Sequence, residues 1–388
     1  MNHFAIYLLA LGAFVTGTAE FVVSGILEII SSDLDISVSV AGQLITIYSL
    51  FYAIGALILV MITSKFDRKK VLFYSMVIFL TGNIMAYISH NYTILMFSRV
   101  VLALSGGLYI VVATNYAAHL AQPGKRGSAM ATVITGFTVS LAFGVPIGTF
   151  TAAYIDWRNI FLIIGVVTCI NILLLQKFIP KLDGNKPMPI KQQLILIKDK
   201  RLLIGLFITA FWILGYTLVF AYISPILSLY AGFSIEMISM TLLILGVSAF
   251  IGSRFGGYAV DKWGSYRTIT ISLVIHTIVL MVLTFTIHST IGTLITIMIW
   301  AVAAWTTTPA NQFYLTSLKP QSSEIILSFN TAIMNIGMTL GAGLGGLVIE
   351  YTDIIYLIWL GGLMVFIALG IACYFFILGK KQPRTKII

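Results

Sequence analysis

Charge is what this chain lacks. Asp, Glu, Lys and Arg make up 9% of its 388 residues, where a soluble domain carries about 25%. So few charges cannot clothe a surface in water, and a hydrophobic content of 59% assigns most of that surface to lipid. Cysteine is nearly absent. Cys169 and Cys373 are the whole supply, both inside apolar runs, which excludes a disulfide framework and a cysteine metal site. Alternation of apolar and polar residues at every second position is also missing. That disfavours a closed barrel and leaves helices as the way to pair every backbone polar group within a bilayer. No metal cluster, nucleophile–base pair or phosphate loop is visible, so no metal, cofactor or enzyme activity is expected.

What the chain does have is long apolar runs. A helix needs roughly 20 such residues to cross a bilayer. Twelve candidate spans are found: 4–30, 41–63, 71–90, 92–118, 127–154, 159–179, 202–229, 237–259, 268–288, 290–317, 325–349 and 354–378. The first run is longer than the roughly 7–15 residues of a signal-peptide core and lacks a Lys/Arg-rich head, so it is read as a retained helix. With both termini placed in the cytoplasm, inner loops and tail hold 20 of the 23 basic residues, including Lys65, Lys125, Lys186 and Lys191. The outer loops hold Asp33, Asp35, Asp156, Glu236 and Asp353. This is the positive-inside asymmetry of a multi-pass protein of the cytoplasmic membrane. It also accounts for the net charge of +10 through anionic lipid. Nucleic acid is not an expected partner, because the basic residues are spread over many loops.

The chain divides at a basic, Pro-containing loop that carries Pro180, Gly184, Pro187 and Pro189. The expected organisation is an all-α membrane protein of twelve transmembrane helices in two pseudo-symmetric six-helix bundles. Residues 1–179 form the first bundle, 180–201 a cytoplasmic linker, and 202–388 the second bundle with a short basic tail. The halves echo each other. Gly144 and Gly148 in span 5 match Gly341 and Gly345 in span 11. Asp67-Arg68-Lys69-Lys70 after span 2 matches Asp261-Lys262 through Arg267 after span 8. An internal repeat of this kind points to two units rocking around a midplane site.

These residues resemble the major facilitator superfamily, in its twelve-helix drug:proton antiporter branch. The loop Gly257 to Arg267 resembles the family's Gly-x-x-x-Asp-Arg/Lys-x-Gly-x-x-Arg/Lys signature. The Asp67 copy departs from it, with Thr63 in place of the leading Gly and no second Gly. Arg99 with Gly106-Gly107 resembles the fourth-helix motif, and Gly136 through Pro146 to Gly148 the fifth-helix antiporter motif. Thr18-Ala-Glu20-Phe21, Ala41-Gly-Gln43-Leu44 and Pro309-Ala-Asn311-Gln312-x-Tyr314 are similar to the purine-efflux and sugar-efflux subgroup. The likeness implies an exporter with spans 1, 4, 7 and 10 around a central cavity. It also implies a latch at Asp67, Arg68, Asp261, Lys262 and Arg267.

Glu20 is the residue that most needs explaining, since an intramembrane carboxylate is costly and marks an ion, proton or substrate path. Ala13, Thr16, Gly17 and Ser24 share its helix face, and such small neighbours suit a cavity wall. Arg99 lies at similar depth. Burial and a nearby Arg pull a carboxylate's proton affinity in opposite directions, so Glu20 and Arg99 read as a proton-coupling pair. A fixed structural ion pair and direct substrate binding are the alternatives. Trp212 and Tyr216 in span 7, with Trp305 and Gln312 in span 10, offer rings and an amide to a flat solute; helix packing is their plainer explanation. Thr16 and Tyr116 join them as substrate candidates, whereas Asn115 is read as facing away. Gly136, Gly144, Pro146 and Gly148 read as a helix-packing and bending motif. Arg254 either snorkels or meets a cavity acid; His119 and His276 read as interfacial.

The function expected is proton-coupled efflux of a small solute by a monomer using alternating access, with purine bases or nucleosides first. Export of sugars or chloramphenicol-like drugs is the alternative, and a non-transporting membrane receptor the alternative in another class.

Overall fold

The computed structural model describes residues 3–122, 126–182, 198–319 and 322–381. Lys125, Gly184, Lys186, Pro187, Pro189, Lys191, Arg384 and Lys386 lie outside the described residues. Among the described residues twelve helices are long and apolar enough to span a membrane. They are α1 Phe4–Gly25, α2 Val38–Ile62, α3 Arg68–Tyr87, α4 Tyr92–Leu120, α5 Ala129–Tyr154, α6 Arg158–Phe178, α7 Lys200–Phe220, α8 Ile235–Trp263, α9 Ser265–Thr286, α10 Thr290–Leu318, α11 Ile325–Tyr351 and α12 Tyr356–Phe375. Polar residues start many of them. Ser37, Asp67, Asn91, Asp199, Ser234 and Ser289 each accept a hydrogen bond from a first-turn N–H, satisfying donors that a helix leaves open at its N-terminus.

Two of the expected spans break. The run 4–30 bends at Ile26 (φ −117°, ψ 15°) into a short helix, Leu27–Asp33. The run 202–229 bends at Tyr222 (φ −115°, ψ 21°) into a second, Ile223–Ala231. The matching backbone angles are a further echo between the two sets of six spans. Glu28 and Pro225 stand just past the two bends, but both runs stay largely apolar, so run length alone does not locate them. Within α2 and α5 the helix widens to a π turn at Gly55–Leu59 and Ser140–Gly144. The second wide turn leads directly into Pro146, whose missing N–H a regular helix would leave as a gap.

Lys and Arg crowd the loops at one end of the bundle, and Asp33, Asp35, Asp156 and Asp353 lie at the other; these are called the basic and the acidic end. The first and last six helices meet along two seams, α2 on α11 and α5 on α8. Under the 1-to-7 correspondence these seams are equivalent. The Ser39 hydroxyl of α2 donates to the Gly346 carbonyl of α11 at 2.7 Å, and the Ser239 hydroxyl of α8 donates to the Pro146 carbonyl of α5 at 2.7 Å. The Ser228 hydroxyl donates to Glu28 Oε1 at 3.1 Å, joining the two short helices. All three bonds sit toward the acidic end. Gly246 lets α8 reach the backbone of α5, since a Cβ there would collide with Ala142 Cα.

Candidate functional site

Between the two sets of helices lies a cavity of about 230 Å³. Asn115, Met130, Gln312 and Leu327 line it from the basic-end halves of α4, α5, α10 and α11, and Glu20, Phe21, Tyr52, Trp212 and Tyr216 line it deeper. The deep side is closed by rings. Phe21 meets Phe220 of the other half edge-on at 6.0 Å between centroids, and Phe137 at 5.4 Å. The serine bonds lie beyond that plug, so the cavity is shut toward the acidic end.

Glu20 and Arg99 come together, but not as the expected side-chain pair. The Arg99 guanidinium is fully buried and donates to backbone carbonyls: Ala19 at 2.6 Å, Glu20 at 3.2 Å and Leu44 at 3.4 Å. Its central carbon sits 4.0 Å from the centroid of the Tyr48 ring, a cation–π contact. No ion pair joins it to the Glu20 carboxylate among the described residues. Glu20 Oε2 has no hydrogen-bond partner there, and the residue lines the cavity. The cation is therefore tied to the backbone of α1 and α2, while the carboxylate stays free. A buried charge without a partner is expensive; Arg99 offsets that cost through space.

The small residues beside Glu20 also differ from expectation. Thr16 is buried, donates to the Ala13 carbonyl at 3.0 Å and does not line the cavity. Gly17 faces Ser140 and Phe137, so this stripe accommodates neighbouring helices instead of forming a wall. Tyr116 is a second correction. Its hydroxyl donates to the Pro180 carbonyl, and it borders a separate small cavity with Arg68 and His119. Asn115, read as facing away, lines the main cavity.

The second half fulfils its aromatic pattern. Trp212, Tyr216, Trp305 and Gln312 all line the cavity, with Thr308 and Asn335 beside them. Trp212 Nε1, Thr308 Oγ1 and Asn335 Oδ1 are buried without a hydrogen-bond partner among the described residues. The wall thus presents rings together with an open N–H donor, a hydroxyl and an amide oxygen. Behind it lie two residues whose role sequence reasoning missed, Trp300 and His276. His276 is fully buried in the middle of α9 rather than interfacial, and its Nε2 accepts from Trp300 Nε1 at 2.8 Å. A neighbouring network joins α7, α10 and α11: Asn311 Nδ2 donates to Thr209 Oγ1 at 2.5 Å, and that hydroxyl donates to Asn330 Oδ1 at 2.7 Å.

The charged loops are dispersed at the basic end. Asp67 Oδ1 caps α3, accepting from Lys69 N at 2.8 Å and Lys70 N at 3.2 Å. Arg68 N donates to the Leu182 carbonyl at 2.8 Å. Asp261, Lys262 and Arg267 are exposed, and Lys262 donates to the Tyr258 hydroxyl at 3.2 Å. Arg254 is exposed on α8 and does not line the cavity. In α5 a Cβ at Gly136 would meet the Ala10 backbone; one at Gly144 would meet Thr18, and one at Gly148, Val22. This face of α5 therefore lies tightly along α1.

The Major Facilitator Superfamily model matches residues 9–324. Two proteins of Bacillus subtilis (strain 168), both described as uncharacterized MFS-type transporters, are similar along their lengths. YbcL is 38% identical over 386 residues, covering 100% of this chain and 98% of its own. YtbD is 35% identical over 366 residues, covering 93% and 92%. Among solved structures, a D-xylose-proton symporter superposes with a TM-score of 0.82 at 17% identity, covering 96% of this chain and 97% of its own. A bacterial homologue of the human lysosomal transporter Spinster, in an inward-facing and occupied conformation, has a TM-score of 0.77 at 16% identity, covering 98% and 97%.

Proposed function

The chain belongs to the major facilitator superfamily and is a membrane transporter rather than an enzyme, and from that premise we propose that it exports a small planar solute in exchange for protons. The observation that carries this reading is the free Glu20 carboxylate on the cavity wall, with its counter-charge held apart on backbone carbonyls. Such a group takes a proton when its surroundings are dry and yields it when wetted. The basic end is assigned to the cytoplasm by the excess of Lys and Arg there, so the cavity faces the cytoplasm and the serine seams close the outside. Residues 1–179 and 202–388 act as two bundles, joined by the linker 180–201, that rock about the cavity in a monomer.

For the cargo we favour purine bases or nucleosides, in keeping with the purine-efflux likeness. Ring faces at Trp212, Tyr216 and Trp305 support stacking, and Gln312 and Asn335 supply donors and acceptors for a ring edge. A second reading, export of flat apolar drugs, is favoured by Met130, Met334 and Met338 in the same cavity, since methionine adapts to varied shapes. Both readings place the protein in the antiporter branch. The latch role of Asp67, Arg68, Asp261, Lys262 and Arg267 belongs to the alternate state, in which the basic ends would meet.

Reconstituted vesicles test this. With an imposed pH gradient, labelled adenine should move opposite to protons, and adenine should accelerate collapse of the gradient. Movement of adenine that ignores the gradient overturns the coupling. Chloramphenicol-driven proton flux with none for adenine, guanine or inosine selects the second reading.

A further inference from the structure

His276 does not line the cavity, yet it is a fully buried imidazole in the middle of a membrane-spanning helix. A buried imidazole at this depth needs a reason. Its one hydrogen bond identifies the partner: Trp300 Nε1 lies 2.8 Å from His276 Nε2. An indole nitrogen only donates, so Nε2 must be the bare nitrogen, and His276 must be neutral with its proton on Nδ1.

The contacts lead from there to the wall. Trp300 is fully buried and does not line the cavity. Its ring packs behind Tyr216 at 5.1 Å between centroids. Tyr216 in turn stacks on Phe220 at 5.3 Å with 15° between planes, and Phe220 abuts Phe21 of the plug. His276 itself lies 6.5 Å from Trp212. An indole pinned at its N–H cannot slide in its own plane, so the ring resting on it is held in register. We propose that His276 is a positioning residue for the cargo site: by accepting from Trp300 it fixes the ring that backs Tyr216, and so sets the slot for a planar ligand.

The inference rests on the aromatic-cargo reading only for its binding arm. That arm compares adenine transport by the intact protein and by His276→Leu, His276→Gln and Trp300→Phe variants in vesicles. Gln keeps an acceptor for the indole, whereas Leu removes it; Phe removes the donor and keeps a ring. Loss of this one hydrogen bond should raise KM about tenfold in His276→Leu with kcat nearly unchanged. His276→Gln should recover most of the loss, and His276→Leu combined with Trp300→Phe should be no worse than the poorer single variant. A Gln variant as poor as Leu, or fully additive losses, overturns the proposal.

The second arm needs no cargo. With nitrogen-15 in the indoles of the six tryptophans, the Trp300 resonance, assigned by its loss in Trp300→Phe, should move upfield in His276→Leu and stay near its place in His276→Gln. The Tyr216→Leu variant should show the reverse coupling, shifting the same resonance by a smaller amount. An unmoved Trp300 resonance in His276→Leu overturns the proposal even if adenine is carried. Absence of adenine transport by the unaltered protein refutes the purine reading alone, and the resonance then decides the inference.

Discussion

The two sides of the cavity are built on one helical plan and differ in charge: both bring rings and neutral polar groups, but the carboxylate comes from one side alone. The first six helices contribute the charges: Glu20 on the wall and Arg99 behind it, bound to carbonyls of α1 and α2. The last six contribute rings and neutral polar groups: Trp212, Tyr216 and Trp305 on the wall, with Trp300, His276 and the Asn311–Thr209–Asn330 network behind. Shared backbone features, such as the matching bends at Ile26 and Tyr222, show that the difference lies in side chains and not in architecture. A carboxylate must be isolated from competing partners to change its protonation freely, whereas a ring wall must be pinned to keep its shape. Separating the two tasks lets each half meet its own requirement.

That contrast can be broken from either side. The largest effect is expected from Glu20→Gln, which keeps shape and removes the titrating group: proton-driven efflux should fall to the level of protein-free vesicles while the variant still inserts and folds. Full transport with unchanged proton flux would remove Glu20 from the coupling. Arg99→Ala should act on the fold as well, since it strips a buried cation from three carbonyls; a loss of about 3–5 kcal/mol is expected, read as a lowered thermal midpoint in detergent. On the other side, Tyr216→Ala should raise the KM for adenine about tenfold while the ratio of protons to adenine stays that of the unaltered protein. If the stoichiometry changes instead, the division between the halves is wrong. The smallest effect comes from the seam itself. Removing both seam hydroxyls, in Ser39→Ala with Ser239→Ala, should favour outward opening by about 1 kcal/mol per bond. Spin labels at Asp35 and Thr352, both exposed at the acidic end, would report it as a second, longer distance; an unchanged distance distribution would show that ring packing alone holds the seam.

Much of the fold was legible because lipid demands length. Twelve runs were expected and twelve spans are found among the described residues, with ends that agree within a few positions except at the C-terminal ends of the first and seventh, where the helix bends. Glu20 and Arg99 were legible for the same reason, as charges are conspicuous where apolar residues are the rule. Facing was much harder to read. In water a helix advertises its buried side by polarity, but lipid is as apolar as a protein core, so the contrast vanishes. Thr16 and Tyr116 were therefore placed on a wall they do not form, Asn115 was turned away from one it does form, and His276 was put at an interface although it is fully buried. The bends at Ile26 and Tyr222 escaped because the apolar runs were read by length, although Gly25 and Glu28 flank the first and Pro225, whose ring is incompatible with a regular helix through the Ala221 carbonyl, follows the second. Trp212, Tyr216, Trp305 and Gln312 do line one cavity, because each pair repeats at helical spacing and points the same way.

The backbone tether of Arg99 has a consequence for electrical work. Because its hydrogen bonds run to carbonyls and not to Glu20, the cation has no reason to leave when the carboxylate takes up a proton. In the proposed cycle the site is then neutral when Glu20 is ionised and carries one positive charge when it is protonated. Only the protonated carrier feels the membrane field, at about 2.3 kcal/mol per 100 mV for a full crossing. An inside-negative voltage would accelerate the proton-bearing passage toward the cytoplasm and leave the return with neutral cargo untouched, so the exchange would register as current.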